Sequence, residues 1–498
     1  GRIIFGSEVK SLLECSDVPR EADPDGILST LFFLWTPEPK TAFKGIEKLP
    51  AGCNMIIEQG DVRIEKYWDL TFEGYGTDKG ESHYAEELES LLQDSVRLRM
   101  IADVNVGAFL SGGLDSSLIT ALMTAQSGKP VTTYTIAFTE EDKKFEAMPD
   151  DQKYAKIVAK YLGADYREIV IKPDVADLLP KIVWHLDEPI ADPAGINTYL
   201  ICKLAKESGT TVMLSGMGAD EIFGGYRKHL SVKFAHLYKK MLPSFLRTGV
   251  IEAIAEALPV AGEKGGYKLA RWAKRFSKSA SLPDFDAFIG NYAYYNETEM
   301  RRLLTPEFAA RAMPDYKESY PIARHYAVRD AVLQKQPSID LITLMCAVDT
   351  KLFLASLNLM YSDKTSMAAG VEERVPFVDY RIVEFAHRLP PQYKIGGLFG
   401  KFEQKKLLKK ISEKHLPKEI IYRPKAPFGA PLRAWVRNDL DAMISELLSP
   451  SQLKKRGIFN AATVSKMIAD HKSGREDSAH RIWALLTLEI WMQKFIDR

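Results

Sequence analysis

Residues 107–120 read GAFLSGGLDSSLIT. An apolar run, VNVGAFL (104–110), meets two glycines, an aspartate and three hydroxyls, and a second apolar run, SSLITALMTAQ (116–126), follows. A buried strand that empties into a polar, flexible loop and then a helix is the start of a β-α-β unit. Gly112 and Gly113 permit backbone conformations that other residues avoid, so successive N–H groups can point inward at an anion. The helix starting near Ser116 turns its positive end to the same point, and Ser111, Ser116 and Ser117 add hydroxyl donors. Asp115 is the exception. A carboxylate in an anion nest is unfavourable unless a cation joins it, and Mg²⁺ bridging Asp115 to phosphate oxygens is the economical explanation. A tight turn with a serine cap would explain a lone pair of glycines, but the full string SGGLDSS (111–117) is far more specific.

The alternation continues downstream. PVTTYTIAF (130–138) reads as a strand and YAKIVAKYLG (154–163) as a helix, with Tyr154, Ile157, Val158, Tyr161 and Leu162 on one face and Gly163 at its end. YREIVI (166–171) is a strand, helices follow near 175–185 and 196–208, and TTVMLS (210–215) is the next strand. This order predicts an α/β fold with a parallel sheet covered on both faces and ligands at the carboxyl ends of its strands. The second glycine-rich loop, within LSGMGADEIFGGYRKH (214–229), lies at such an end. Asp220 and Glu221 are adjacent there, at the start of a helix. An acidic first turn is ordinary helix chemistry. The position of this loop beside the first favours Asp220 as a second Mg²⁺ ligand, facing the anion from the opposite side.

The 498 residues exceed what one compact core holds. Residues 1–70 carry β-type runs, and CNMIIEQGDVRIEKYWDL (53–70) pairs two of them across EQGD as a hairpin. TFEGYGTDKGESH (71–83) reads as a linker, and a helix follows over 84–100 with Leu88, Leu91, Leu92 and Val96 on one face. Residues 84–229 form the α/β core, 230–350 a helical insertion and 351–498 a helical part that completes the site. The basic stretch YKLARWAKRFSK (267–278) reads as a solvated helix face. The chain opens without Met, inside what reads as a strand, so the natural protein is expected to continue upstream.

Lys plus Arg number 67 against 66 Asp plus Glu, which removes the bulk argument for a nucleic-acid partner. Four cysteines, none in a CxxC pair, read as reduced thiols of a cytoplasmic protein and not as a disulfide framework or zinc site. No apolar run approaches the roughly 20 residues of a membrane span, and no signal peptide opens the chain, so no membrane partner is expected.

SGGLDSS is similar to the pyrophosphate loop of the ATP pyrophosphatase superfamily, and the lysine that ends a Walker A loop is missing from it. Three further strings narrow the resemblance: DEPIADPAGINTYLICKLA (187–205), SDKTSMAAGVEERVPFVDYRIVEFA (362–386) and LPKEIIYRPKAPFGAPLRAW (416–435). All resemble asparagine synthetases of the glutamine-hydrolysing type, and FGSEVKSLL (5–13) with LPAG (49–52) resembles the end of that family's N-terminal glutaminase domain. The resemblance implies an adenine nucleotide α-hydrolase-like synthetase domain over 84–498 with large helical additions. It also implies that 1–70 is the β-rich end of an N-terminal nucleophile glutaminase domain.

The implied chemistry is adenylation of a carboxylate by ATP with Mg²⁺, then displacement of AMP by ammonia derived from glutamine. Carried over residue by residue, Ser111, Gly112, Gly113, Asp115 and Ser116 match the pyrophosphate loop. Leu110 and Phe138 fall where the adenine is held, Ser215 and Gly216 touch the nucleotide, and Asp220 is the second metal ligand. Lys425 matches the lysine that neutralises phosphate and oxyanion charge, and Glu372 an acidic residue that positions or deprotonates the amine.

Two departures bear on the outcome. The glutaminase nucleophile lies upstream of residue 1, and neither Cys15 nor Cys53 is placed to replace it. Met217 stands where many asparagine synthetases carry an acidic residue facing the substrate, and methionine cannot pair with an α-ammonium group. Either the side chain points away and the substrate is aspartate, or the substrate is another carboxylate, such as a sugar uronate or the precursor of an antibiotic amide or lactam. A tRNA-modifying relative and a non-catalytic regulatory member are the rival readings. A homodimer is admitted and not required.

Overall fold

The structure is a computed structural model, and it describes residues 2–139, 151–171, 174–241, 280–397, 402–424 and 429–498. Lys425 and the YKLARWAKRFSK stretch lie outside the described residues. The strands are β1 (Cys53–Glu58), β2 (Asp61–Lys66), β3 (Val106–Phe109), β4 (Thr132–Phe138), β5 (Asp165–Ile171), β6 (Val212–Leu214) and β7 (Glu372–Arg374), with a short pair at Ile395–Gly396 and Glu403–Gln404.

Five strands make the central sheet in the order β5-β4-β3-β6-β7, every neighbour parallel. The chain leaves β3 towards β4 and β5, then returns to place β6 on the other side of β3. The strand order therefore reverses between β3 and β6, where the loops that follow open a crevice for ligand. Those two loops are SGGLDSS and SGMGADE. β7 was not anticipated. Three residues, Glu-Glu-Arg, are too short and too polar to show a strand pattern, yet Val212, Met213 and Leu214 pair with them in register.

Residues 2–70 differ from the expected β-rich segment. Their regular strands are the hairpin β1–β2, while Pro24–Phe33 is a helix buried along its length. Its start is well signalled: Asp23 caps Asp25 N–H, and Pro24 occupies the first turn. Phe32, Phe33, Trp35 and Phe43 then join the common core, with Phe43 against Trp491 at 4.9 Å. The hairpin packs far less, and Met55, Ile57, Val62 and Ile64 are exposed.

A second correction concerns apolar length. Leu341–Ala368 is one continuous helical run, α-helical at its ends and π-helical over Thr350–Asn358. Among the described residues it is the one helix long and apolar enough to cross a membrane by composition, with mean hydropathy 1.4. It is a core helix, 72% buried over its apolar window. Asp349 and Lys351 hid its continuity in the sequence. Asp349 is buried with Lys228 Nζ and His229 Nε2 each at 2.7 Å, so its charge is answered inside the fold.

Candidate active site

A cavity of about 890 Å³ opens at the carboxyl ends of β3, β4, β6 and β7. Its first wall is the β3 loop. Gly112 has φ 65°, and a Cβ there would lie 2.4 Å from Ala155 N, so both conformation and space demand glycine. Gly113 is the N-cap of the Leu114–Ser127 helix, and no side chain among the described residues caps that end. The helix N-terminus thus faces the cavity with its N–H groups available to an anion. Ser111 and Ser116 hydroxyls lie 3.0 Å apart, and Ser111 Oγ also accepts from Gly113 N–H at 3.3 Å. Ser117 is fully buried beneath the loop.

The β6 loop touches the first. A Cβ on Gly216 would stand 2.6 Å from Ser116 N and 2.8 Å from the Asp115 carbonyl carbon. Ser215 N–H donates to the Arg374 carbonyl at 3.0 Å, which joins this loop to β7. Leu110 and Phe138 line the same cavity, with the Leu110 carbonyl accepting from Thr135 Oγ1 at 2.5 Å and Phe138 edge-on to Trp435. Met217 is among the residues that line the cavity and is partly buried against the core.

Asp115 and Asp220 converge on one point, and a lysine stands at it. Lys405 Nζ is 2.5 Å from a carboxylate oxygen of each. Burial pulls the Lys405 ammonium down, but the two carboxylates outweigh it and hold the group above its ordinary range. Gly225 makes room, because a Cβ there would lie 1.9 Å from Asp220 Oδ1 and 2.1 Å from Lys405 Cε. Two carboxylates around one cation position, beside an open helix N-terminus, suit Mg²⁺. That ion binds through one or two carboxylates plus phosphate oxygens more often than in an all-protein cage.

The acidic residue needs a correction. Glu372 is exposed and its carboxylate pairs with Arg374 at 2.7 Å, away from the cavity. The hydrogen bonds from Arg374 hold it below its ordinary range. Side chains alternate along a strand, so the next residue, Glu373, is the one that lines the cavity. Glu373 accepts from Ser362 Oγ, and burial pushes its carboxyl up despite the Ser215 and Ser362 hydroxyls.

Glu221 faces the same space, 1% exposed, and accepts from Tyr226 OH at 2.7 Å and from Asn358. Burial, then the neighbouring Asp220 charge, raises it to about 7. Lys425 lies outside the described residues, but both flanks reach the cavity. On one side Arg423 pairs with Asp151 at 2.8 Å, and on the other the Gly429 carbonyl accepts from Asn197 at 3.3 Å. Lys405, Glu373 and Arg423 were therefore missed in sequence. Lys405 sits in EQKKLLKK (403–410), which reads as one more solvated lysine run.

The asparagine synthase family profile matches residues 87–493, and a glutamine amidotransferase domain profile matches residues 1–68. Asparagine synthetase (glutamine-hydrolyzing) 1 of Bacillus subtilis (strain 168) is 31% identical over 504 residues, covering 100% of this chain and 73% of that protein. Asparagine synthetase (glutamine-hydrolyzing) 3 of the same organism is 28% identical, covering 90% of this chain and 67% of its own. Amidase chyE of Penicillium rubens is 25% identical over 92% of this chain and 69% of its own. With a family match across most of its length and a sheet whose switch point carries both loops, the chain belongs to the asparagine synthase family, amidotransferases of the ligase class.

Proposed function

We propose that this chain adenylates a substrate carboxylate with ATP and replaces AMP by ammonia derived from glutamine. The observation that carries the reading is the meeting of the β3 and β6 loops. They bring Asp115 and Asp220 within 2.5 Å of one cation position beside an uncapped helix N-terminus. Asp115 and Asp220 would hold Mg²⁺, which when bound neutralises the triphosphate so that an anionic nucleophile can approach.

Gly113 and the Ser111 and Ser116 hydroxyls, in a loop shaped by Gly112, would receive the β and γ phosphates, and Ser215 and Gly216 would border the α phosphate. Leu110 and Phe138 would hold the adenine. Attack of the carboxylate oxygen breaks the bond between the α phosphorus and the bridging oxygen, and pyrophosphate leaves. Ammonia then attacks the acyl carbon, Lys425 stabilises the oxyanion, and a carboxylate takes the proton that ammonia loses as AMP departs. Glu373 takes that role in place of Glu372, because it lines the cavity beside Ser215 and Ser362 and burial raises its basicity above that of an exposed glutamate. Lys405 would move from the two carboxylates to the phosphates once a divalent cation takes its place.

Aspartate is the simplest substrate, as in the relatives named asparagine synthetase. Met217 supports the second reading, a carboxylate without an α-ammonium group to pair, because an uncharged residue lines the cavity at that point. The four cysteines are free thiols, which supports a cytoplasmic setting.

The test is ATP–pyrophosphate exchange with ammonia supplied directly, run across aspartate, uronates and amino-acid carboxylates. Carboxylate-dependent exchange and AMP release are expected. Their absence with every carboxylate would end the enzymatic reading.

A further inference from the structure

Asp187 is fully buried, and the mechanism above makes no use of it. Its carboxylate is gripped from two sides. Val9 N–H donates to it at 3.0 Å and Lys10 Nζ lies at 2.7 Å, both from the N-terminal region. Lys364 Nζ lies at 2.5 Å from within the long core helix. Its carbonyl accepts from Trp491 Nε1 at 2.7 Å, which ties in the last helix of the chain.

Asp187 also has φ 64°, in the left-handed region, although it is not glycine. A non-glycine residue holds that conformation when its surroundings over-determine it, and such places cluster at functional sites.

Asp187 begins a short strap, Asp187–Asp192, that the N-terminal region holds again at two further points. Glu188 accepts from Ala42 N–H at 3.1 Å and pairs with Lys48 at 2.7 Å, and Ala191 N–H donates to the Leu34 carbonyl at 2.8 Å. The strap ends at Asp192, whose side chain lines the cavity and accepts from Ala194 N–H at 2.9 Å, at the start of the Ala194–Glu207 helix. On that helix Asn197 reaches Gly429, the described residue that follows the 425–428 segment. The other grip leads to the same cavity. Lys364 is two residues from Ser362, which donates to Glu373.

We propose that Asp187 is a positioning residue that couples docking of the N-terminal amidotransferase-type region to the shape of the synthetase cavity. One route runs along the strap to Asp192 and the other through Lys364 and Ser362 to Glu373. The coupling rests on the adenylating reading above and adds to it. The region that supplies ammonia also sets whether the carboxylate site is formed. Asp187 pairs with the ammonium of Lys10 from the N-terminal region and with that of Lys364 from the core helix, so Lys10→Met removes the N-terminal partner and leaves Lys364 and the Val9 N–H in place.

The experiment uses the full chain with Lys10→Met, Asp187→Asn and, as a control, Lys44→Met at the exposed Lys44–Glu21 pair of the same region. Two readouts are followed: carboxylate-dependent pyrophosphate exchange with ammonia, and amide hydrogen exchange over residues 187–192. Lys10→Met is expected to raise the carboxylate KM about five-fold with the ATP KM unchanged, and to speed hydrogen exchange in the strap. Asp187→Asn shifts both further, and Lys44→Met shifts neither. Unchanged carboxylate KM and unchanged strap exchange in Lys10→Met would overturn the coupling. So would an equal loss in all kinetic constants that tracks a lower melting temperature. If the unaltered chain shows no carboxylate-dependent exchange, the enzymatic reading fails on its own, and the hydrogen-exchange arm still decides the coupling.

Discussion

Lys405 and Glu373 carry the predictions that belong to single residues. Lys405 is 6% exposed and its ammonium separates two carboxylates. Taking the ammonium from between two partly buried carboxylates leaves like charges facing one another, so Lys405→Met is expected to cost about 2 kcal/mol in the absence of divalent cation. A divalent cation at the same point replaces the missing charge, so saturating Mg²⁺ is expected to recover much of that loss. Thermal melts with and without Mg²⁺ decide it, and an equal deficit in both conditions counts against a shared cation position. Glu373 and Glu372 separate by the face they occupy. Glu373→Gln is expected to lower amide formation about 10²-fold, the usual scale for a lost general base, and Glu372→Gln to change it less than about two-fold. Burial raises the Glu373 pKa, so its basic form is lost as pH falls through a value above the ordinary carboxylate range. The acid limb of the rate profile should therefore lie at higher pH than for an exposed glutamate, and Glu373→Gln should remove it. A rate profile unaltered by that substitution would assign the proton to another group.

At the scale of elements, the two loops act as one part because their backbones touch. A methyl group on Gly216 would press on Ser116 N and on Asp115, backbone that cannot yield as a flexible side chain can. Gly216→Ala is expected to cut pyrophosphate exchange at least about 100-fold while the helical circular dichroism of the chain is retained. Wild-type exchange in that variant would mean the loops separate freely. These loops were legible in the sequence because each joins an apolar run to a glycine-rich acidic string, and the strand order then places both at one crevice. The phase of β7 was not. Three polar residues show no alternation, so which of Glu372 and Glu373 points inward depends on pairing with β6, a contact between residues far apart in the chain. Lys405 was hidden for a related reason. A lysine in a lysine-rich helix start looks solvated until tertiary structure brings Asp115 and Asp220 to it. The Pro24–Phe33 helix had a readable cap at Asp23 and Pro24, but the β-type runs around it masked the signal.

Across the whole molecule, the N-terminal region and the helical part share one core, and two buried histidines make that union sensitive to acid. His325 packs against Phe33 at 4.6 Å and lies near Trp35 and Tyr292, so it sits where the two parts meet. Its Nδ1 bonds the Pro321 carbonyl at 2.6 Å, and its Nε2 is buried with no hydrogen-bond partner among the described residues. Burial lowers its pKa to about 4, and burial with the Lys394 charge lowers that of His387 to about 3. Both are therefore neutral when folded and take up a proton near their ordinary 6.5 when unfolded. A depressed histidine pKa means that the unfolded chain binds more protons below pH 6.5, so stability falls as pH falls. Between pH 7 and pH 5 each histidine should remove about 2 kcal/mol, from roughly 1.5 units at 1.36 kcal/mol per unit. Replacing His325 with Asn keeps a donor near the Pro321 carbonyl and abolishes the titration. Urea unfolding followed from pH 7 to pH 5 should then show a loss of stability smaller by about 2 kcal/mol than in the unaltered chain. An identical pH slope in the variant would place the acid sensitivity elsewhere. A slope lost while the neutral-pH stability is kept would tie the joint between the two parts to the neutral state of His325.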